Sequence, residues 1–192
     1  MARRNVPFLP GYYYHIYNRG AHKWGIFRTD TDYLFLLKLI REQSREFDIS
    51  IIAYCLLPNH YHFLIRQNGD ATISRFMQAV FNVYSKFFNT RHEHSGTLFE
   101  GPFKAIWVDK TEYLFHLCRY IHQNPVNAGL VFHPEKWQYS NYLEFVGKRA
   151  GILVDKQFVD ENFGTATDYE QFVMDYVPPE KTENVLRHYL FW

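Results

Sequence analysis

Cysteine is scarce in this chain of 192 residues, which contains only Cys55 and Cys118. Both lie in apolar runs, and two cysteines are too few for a disulfide framework or a cysteine-rich zinc site. We therefore expect a reducing compartment, the cytoplasm. The length corresponds to about one domain of roughly 100–200 residues, which buries a substantial core without disulfides.

Long hydrophobic runs are also missing. No segment approaches about 18 uncharged apolar residues, so the sequence predicts no membrane span. Pro7, Pro10 and Gly11 interrupt the N-terminal segment before any long apolar stretch, and it therefore lacks the apolar core of a signal peptide. The 47% hydrophobic and 21% charged residues exclude collagen-like, low-complexity and extensively disordered chains.

The overall charge is small, and the total alone argues against a nucleic-acid partner. It is +1, from 21 Lys and Arg against 20 Asp and Glu. Residues 1–150, however, carry 18 basic and 12 acidic side chains, whereas residues 151–192 carry 3 and 8. Aromatic residues make up 19% of the chain. A basic body with many aromatic rings is what contacts to phosphates and unpaired bases require.

The spacing of apolar residues predicts seven elements in the order strand, helix, strand, strand, helix, strand, helix. The predicted strands are Tyr12–Tyr17, Ser50–Leu57, Tyr61–Arg66 and Lys104–Val108. The predicted helices are about 30–46, a periodic segment over 73–88, and a helix that is capped at Thr111 and ended or interrupted by Pro125. This order matches an α+β fold, a ferredoxin-like split βαβ antiparallel sheet with helices on one face and one added helix.

The charge boundary suggests two parts. We expect residues 1–150 to form the main domain and residues 151–192 to form an acidic C-terminal helical extension packed on it, with two or three short helices. The acidic charge suggests that the extension covers or regulates the basic body. A solubilising or dimer-forming extension is the alternative.

Two histidines form the first candidate site. His60 and His62 stand two apart at the start of a predicted strand, so both side chains point to one face, roughly 6.5–7 Å apart at the backbone. They can reach one divalent cation; alternatively, they are half-buried strand residues hydrogen-bonded to neighbours. His92 and His94 form a competing pair, but they lie in a polar loop at Arg91–Gly96, which we interpret as solvated.

A tyrosine on the last predicted helix forms the second candidate site. Tyr120 and Asn124 are four residues apart, so they share a helix face and can address one ligand. Tyrosine has a pKa near 10 and needs a nearby cation to act as a nucleophile towards a phosphate. The alternatives are a core tyrosine and an asparagine that caps a turn at Pro125. Tyr113 and Tyr84 are weaker candidates, because Tyr113 has no polar partner one turn later and Tyr84 occupies a core stripe.

Three segments, in this order and spacing, carry a resemblance to a known family: LPNHYHFLI (Leu57–Ile65), GTLFEGPFKA (Gly96–Ala105) and YLFHLCRYIHQNPVNAGLV (Tyr113–Val131). They resemble the single-tyrosine HUH transposases, and within them the REP-associated tyrosine transposases and their transposase-like relatives. The resemblance covers about residues 8–145. It favours the metal interpretation of the two histidines and implies a ferredoxin-like sheet.

The resemblance also implies a role for each matching residue. His60 and His62 would be the metal-ligating histidines, with Tyr61 where a bulky hydrophobic residue is usual. Tyr120 would be the nucleophile that leaves a 5′-phosphotyrosyl link and a free 3′-hydroxyl. Asn124 would be the third metal ligand, with Mg²⁺ or Mn²⁺ as the cofactor. Residues 1–150 would then be an HUH transposase-like catalytic domain that cleaves and rejoins single-stranded or hairpin DNA.

Basic residues near these positions are the candidates for phosphate contacts: Arg19, Lys23, Lys104 and Arg119. The expected partner is single-stranded or hairpin DNA in a bacterial cytoplasm, in association with the nucleoid; a monomer and a homodimer both remain open. The alternative function is a non-catalytic protein of the same fold that binds hairpin nucleic acid. A small metallohydrolase is a third class, for which no additional carboxylate stands at a motif position.

Overall fold

The computed structural model describes residues 6–175, and its centre is a four-stranded antiparallel sheet. The strands lie in the spatial order β2-β3-β1-β4, which is the split βαβ arrangement. Each strand pairs with its neighbours in an antiparallel register, and β2 carries an irregularity between Ile51 and Ala53. The strand bounds are β1 Tyr13–Arg19, β2 Ile49–Leu57, β3 His60–Gln67 and β4 Lys104–Val108.

Two long helices cover one face of this sheet, α1 (Asp30–Glu46) and α2 (Ile73–Arg91). Because strand side chains alternate between faces, Tyr61, Phe63 and Ile65 of β3 all enter the apolar cluster under these helices. The ferredoxin-like α+β fold expected from the sequence is therefore confirmed.

The third long helix, α3 (Thr111–Asn127), packs against the opposite face of the sheet. There its apolar side chains meet the alternate residues of the strands, such as Cys55, Leu57 and Leu64. The histidines and the tyrosine singled out in the sequence belong to this face. Both faces of the sheet are thus covered, one by the α1–α2 pair and the other by α3.

Shorter elements follow α3. A 3₁₀ turn spans Pro134–Lys136, and the helices α4 (Tyr142–Phe145), α5 (Lys156–Asn162) and α6 (Ala166–Met174) end the described part of the chain. Within residues 6–175, no helix is both long and apolar enough to cross a membrane. The last part of the predicted extension, residues 176–192, lies outside the described residues.

The predicted elements agree with the structure except at their ends. The first helix and the fourth strand have the predicted bounds. Strand β2 begins one residue earlier than predicted, β3 is one residue longer at each end, and β1 begins one residue later and ends two residues later. Helix α3 does not stop at Pro125 but continues to Asn127. Proline has no backbone N–H group, so one hydrogen bond is missing near the end of α3. The last turn still forms, because Ala128 N–H donates to the Asn124 carbonyl.

The start of α1 is held by the buried carboxylate of Asp32. One of its oxygens accepts hydrogen bonds from the backbone N–H groups of Arg28 and Thr29, both at 2.8 Å. The carboxylate also contacts His92 Nε2 at 2.9 Å and lies 3.8 Å from Arg91. Burial would raise the pKa of Asp32, but the hydrogen bonds from His92 and the two backbone donors outweigh it and hold the pKa below its usual value.

Replacing Asp32 by asparagine is expected to lower the free energy of unfolding by about 1–3 kcal/mol at neutral pH, because a buried charged acceptor is lost. A carboxylate with a lowered pKa stabilises the folded state above its unfolded pKa of about 4, and this contribution is lost as the pH falls through the folded pKa. Denaturant titrations of wild type and Asp32→Asn should therefore converge in strong acid. The exposed Asp160→Asn control should differ from wild type by less than about 0.5 kcal/mol; a constant gap for Asp32→Asn at every pH would contradict the prediction.

Candidate active site

His60 and His62 open strand β3 and project from the same face of the sheet. Their ring centroids are 5.3 Å apart, with the ring planes nearly perpendicular at 88°. The turn before them, Pro58-Asn59, joins β2 to β3. The Pro58 carbonyl accepts from Ile26 and Phe27 N–H, so this turn is fixed from outside the hairpin.

The half-buried ring of His60 is oriented by Asn59. Its Nδ1 lies 2.6 Å from Asn59 Oδ1, while Asn59 Nδ2 donates to the Lys23 carbonyl at 3.2 Å. Because the amide oxygen can only accept, His60 Nδ1 carries the proton in this contact. Burial, with a smaller contribution from the positive charge of Arg19, lowers the pKa of His60 to about 4. The imidazole is therefore neutral at physiological pH, which a metal ligand requires.

His62 is fully buried and contacts a third histidine. Its Nδ1 lies 2.9 Å from Nε2 of His15, a buried residue of β1, and the two rings stack with centroids 5.2 Å apart. Burial lowers the pKa of His62 well below its usual value, and the neighbouring His15 and His60 lower it further. This ring is also neutral at physiological pH.

Tyr120 reaches these histidines from α3. Its ring lies edge-on to His62 with a centroid distance of 5.5 Å, and 6.3 Å from that of His15. The side chain is only 9% exposed, so the tyrosine and His62 meet beneath the surface. Of the other two candidate tyrosines, Tyr84 is buried on α2 and donates to the Ile26 carbonyl. Tyr113 lies two turns before Tyr120, where its hydroxyl accepts from the Lys110 ammonium at 3.5 Å.

Asn124 follows Tyr120 by one turn on the same helix and is buried. Its Nδ2 donates to the Tyr120 carbonyl at 2.8 Å. The other amide atom, Oδ1, is the one that can accept a hydrogen bond or bind a cation. Among residues 6–175, no three His, Cys, Asp or Glu side chains gather closely enough to hold a metal ion. The amide oxygen of Asn124 is a ligand of the kind that Mg²⁺ and Mn²⁺ prefer.

Three of the four basic candidates lie at the same end of the sheet as His60. Arg19 is the register partner of His60 and forms an ion pair with Glu100 at 2.7 Å. Lys23 is in the 3₁₀ turn after β1, and Lys104 starts β4 with its ammonium 5.9 Å from the ring of Tyr17. Arg119 lies elsewhere, where its guanidinium is 4.5 Å from the ring of Phe172 on α6.

The competing histidine pair has structural contacts instead of a shared site. His92 contacts the buried Asp32 carboxylate, as described above, and His94 Nδ1 lies 3.1 Å from Asn89 Oδ1. Glu93, between them, has a left-handed backbone with φ of 50°. The two rings are thus engaged by different partners at the end of α2.

His15 is the site residue that the sequence did not reveal. It lies in the aromatic run of the first strand, where its alternation with Tyr14 and Ile16 places it on the face of His62. The sequence contained one usable signal: a polar residue in an otherwise aromatic strand. Its partner, however, is 47 residues away, and only the β1–β3 register brings the two rings together.

Helix α3 is tied on its other side to α6 by polar side chains one turn apart. Arg119 and Gln123 donate to the Phe172 and Val173 carbonyls at 3.3 and 2.8 Å. Between them, His122 Nδ1 lies 2.6 Å from the Tyr169 hydroxyl, and its Nε2 lies 2.9 Å from Asn141 Oδ1. The helix that carries Tyr120 is therefore held between the sheet and α6.

Replacing Tyr169 by phenylalanine should test this contact. The variant leaves buried His122 Nδ1 without its donor, so we expect the free energy of unfolding to fall by about 1–3 kcal/mol in a denaturant titration. The matched control is Tyr12→Phe, at a side chain that is 44% exposed, where we expect a change below about 0.5 kcal/mol. Equal stability of the two variants would contradict the contact.

The comparison with known families now assigns the chain. The model of the family described as "Transposase IS200 like" matches residues 9–124, more than half of the chain. The protein is a transposase, and it belongs to the IS200-like transposase family. No curated protein matches the chain.

Two solved structures are similar to this chain to different degrees. One is a REP-associated tyrosine transposase bound to a REP hairpin, with a TM-score of 0.64 and 21% identity over 81% of this chain and 94% of that chain. Another is a putative transposase from Deinococcus radiodurans R1, with a TM-score of 0.44 and 12% identity over 63% and 96% of the two chains. The first similarity supports the ferredoxin-like architecture on which the site is built.

Proposed function

We propose that this transposase cleaves and rejoins single-stranded or hairpin DNA through Tyr120, with a divalent metal held by His60, His62 and Asn124. The observation that carries the proposal is the convergence of three rings. His62 lies 5.3 Å from His60 and 5.5 Å from Tyr120, centroid to centroid. The proposed nucleophile, on α3, thus lies beside two neutral imidazoles that both come from β3.

The donor set fits Mg²⁺ or Mn²⁺. Nδ1 of His60 and Nδ1 of His62 are both engaged by protein partners, and we assign Nε2 of each ring as the metal-ligating nitrogen. Asn124 supplies the oxygen through Oδ1. A mixed nitrogen and oxygen set of this kind suits either ion, and the bound cation would polarise the scissile phosphate and stabilise the charge of its transition state.

In the proposed reaction, Tyr120 Oη attacks the phosphorus and forms a phosphotyrosyl ester. The bond from phosphorus to the 3′ oxygen breaks. The phenol of Tyr120 loses one proton, and the departing 3′ oxygen gains one and becomes a hydroxyl group. The products are a 5′-phosphotyrosine and a free 3′-hydroxyl. Because one phosphate ester replaces another, the 3′-hydroxyl can reverse the step and join strands without an external energy source.

The basic side chains supply the phosphate contacts in this proposal. Lys23 and Lys104 lie at the His60 end of the sheet, where a strand entering the site would pass. Arg19 forms an ion pair with Glu100, and Arg119 donates a hydrogen bond to the Phe172 carbonyl on α6. Lys23 and Lys104 are also exposed, whereas Arg19 and Arg119 are half-buried, and we therefore rank the two lysines first as DNA contacts.

The extension at residues 151–192 also enters as a proposal. In its described part, α6 contacts α3 through Tyr169 and the carbonyls of Phe172 and Val173. These contacts support a packed extension that steadies the helix of Tyr120. Its excess of acidic residues supports, in addition, an electrostatic cover for the basic body.

The test is an adduct assay on the full chain. A labelled hairpin with a single-stranded flank, incubated with Mg²⁺ or Mn²⁺, should give a covalent protein–DNA product that resists denaturing electrophoresis and is absent with a chelator. The alternative, a non-catalytic hairpin-binding protein, predicts a complex in native gels and no covalent product. Strand cleavage without an adduct would instead favour a metallohydrolase.

A further inference from the structure

A cavity of about 350 Å³ lies on the face of the sheet opposite Tyr120, under α2. Its volume is in the range of ligand pockets, roughly 300–1,000 Å³. Four aromatic side chains line it: Tyr61, Phe81, Phe99 and Phe103. The rings of Tyr61 and Phe81 stack with centroids 4.6 Å apart, and Phe99 meets Phe81 edge-on at 5.4 Å.

This cavity adjoins the candidate active site through two strands. Tyr61 stands between His60 and His62, so its ring enters the cavity while the two imidazoles project from the other face. Asn18 lines the cavity and follows Tyr17, whose ring lies 5.9 Å from that of His62. Neighbouring residues of a strand have Cα atoms only about 3.8 Å apart. The same stretch of backbone therefore carries the candidate active site on one face of the sheet and the floor of the cavity on the other.

One wall of the cavity comes from the GTLFEGPFKA segment, through Phe99 and Phe103. Backbone and side-chain contacts hold this wall against the end of β1. Phe99 and Gly20 form an isolated antiparallel β-bridge, and Asn18 Nδ2 donates to the Gly101 carbonyl at 3.0 Å. An ion pair between Arg19 and Glu100, at 2.7 Å, links the same two segments. The aromatic wall is thus preorganised.

The rim of the cavity is polar. Gln78, Asn82 and Ser85 line it from α2, at positions four and seven residues after the first, which share one helix face. Two amides and a hydroxyl can donate to and accept from the edge of a planar heterocycle. Lys86 follows the lining residue Ser85 in the chain and is exposed, so it can contact phosphate.

We propose that this cavity binds an unpaired base of the DNA strand whose phosphate is held at Tyr120. Aromatic walls that stack a base, amides that contact its edge and a lysine beside them match the chemistry of a nucleotide. The inference rests on the proposed function, because it takes DNA as the substrate. It gives the GTLFEGPFKA segment a specific part in recognition.

The test uses a Tyr120→Phe background, so that no cleavage alters the probe. The probe is a DNA hairpin with a twelve-nucleotide single-stranded flank, carrying 2-aminopurine at one flank position at a time. Stacking on protein rings quenches this base, and we expect quenching at one position or two adjacent positions. Ser85→Phe, which fills the cavity, should remove the quenching and weaken binding of the flanked hairpin about tenfold.

The matched control is Thr90→Phe, which introduces the same residue on the same helix at an exposed position outside this cavity. Thermal unfolding must show that both variants fold. Thr90→Phe should keep the quenching and the affinity, and neither variant should alter binding of the hairpin without its flank. Unchanged quenching in folded Ser85→Phe, or quenching spread evenly along the flank, would overturn the proposal.

The wild-type adduct assay separates this proposal from the proposed function. Quenching that depends on Ser85 without any adduct would support the base site and contradict the Tyr120 chemistry. If the adduct forms and the quenching is the same with and without Ser85→Phe, the result would support the Tyr120 chemistry and overturn the base site.

Discussion

Replacing Tyr120 by phenylalanine should abolish covalent protein–DNA adducts and leave the affinity for hairpin DNA unchanged. The variant removes only the hydroxyl oxygen that attacks phosphorus, and it keeps the ring that packs against His62 and His15. No other group replaces a lost nucleophile, so adducts should fall below detection in denaturing gels. Native gels should show a dissociation constant within about twofold of wild type.

The control for Tyr120 is Tyr113→Phe on the same helix. Both tyrosines are buried, at 9% and 8% exposure, and both lie on α3. Tyr113 contacts Lys110 at the start of the helix, so its loss should leave adduct formation close to wild type. Adducts that persist in Tyr120→Phe and vanish in Tyr113→Phe would reject the assignment of the nucleophile.

Replacing His60 by alanine should reduce the rate of adduct formation by at least about 100-fold at low metal concentration. The substitution removes one of two imidazoles from the proposed metal site, and a metal that stabilises a phosphate transition state contributes several kcal/mol. His60 is half-buried, so the fold should tolerate the change better than a change at fully buried His62. Raising the Mn²⁺ concentration should recover part of the rate, because the lost ligand weakens metal binding.

The matched control is His94→Ala. His94 is half-buried and contacts the side-chain oxygen of Asn89, just as His60 contacts that of Asn59. It belongs to the competing histidine pair, so its loss should leave adduct formation and its metal dependence unchanged. Equal losses in the two variants, or a rate in His60→Ala that does not respond to metal, would contradict the assignment of the metal site.

Local patterns predicted the fold because they act over short distances in the chain. The spacing of apolar residues correctly placed α1 at residues 30–46, and the two-residue spacing of His60 and His62 correctly placed both rings on one face. The sequence also predicted that Tyr120 and Asn124 share a helix face, although Pro125 made that geometry uncertain. Since α3 continues to Asn127, the shared face is preserved.

Contacts between distant residues were not predictable from spacing. His15 and His62 are 47 residues apart, and so are His122 and Tyr169. The first pair depends on the register of β1 against β3, and the second on how α6 docks against α3. Arg119 illustrates the same limit: its proximity to Tyr120 in sequence suggested a DNA contact, whereas its guanidinium faces Phe172 on the other side of the helix.

The most direct test of the proposed chemistry is to identify the residue that carries the DNA. Wild-type protein is incubated with a flanked hairpin and Mg²⁺ or Mn²⁺, digested with nuclease and protease, and sequenced by mass spectrometry. The proposed mechanism predicts a nucleotide attached through its 5′ phosphate to Tyr120, in the peptide that also contains His122 and Asn124. A nucleotide on Tyr113 or Tyr84, or a 3′-phosphate linkage, would contradict it.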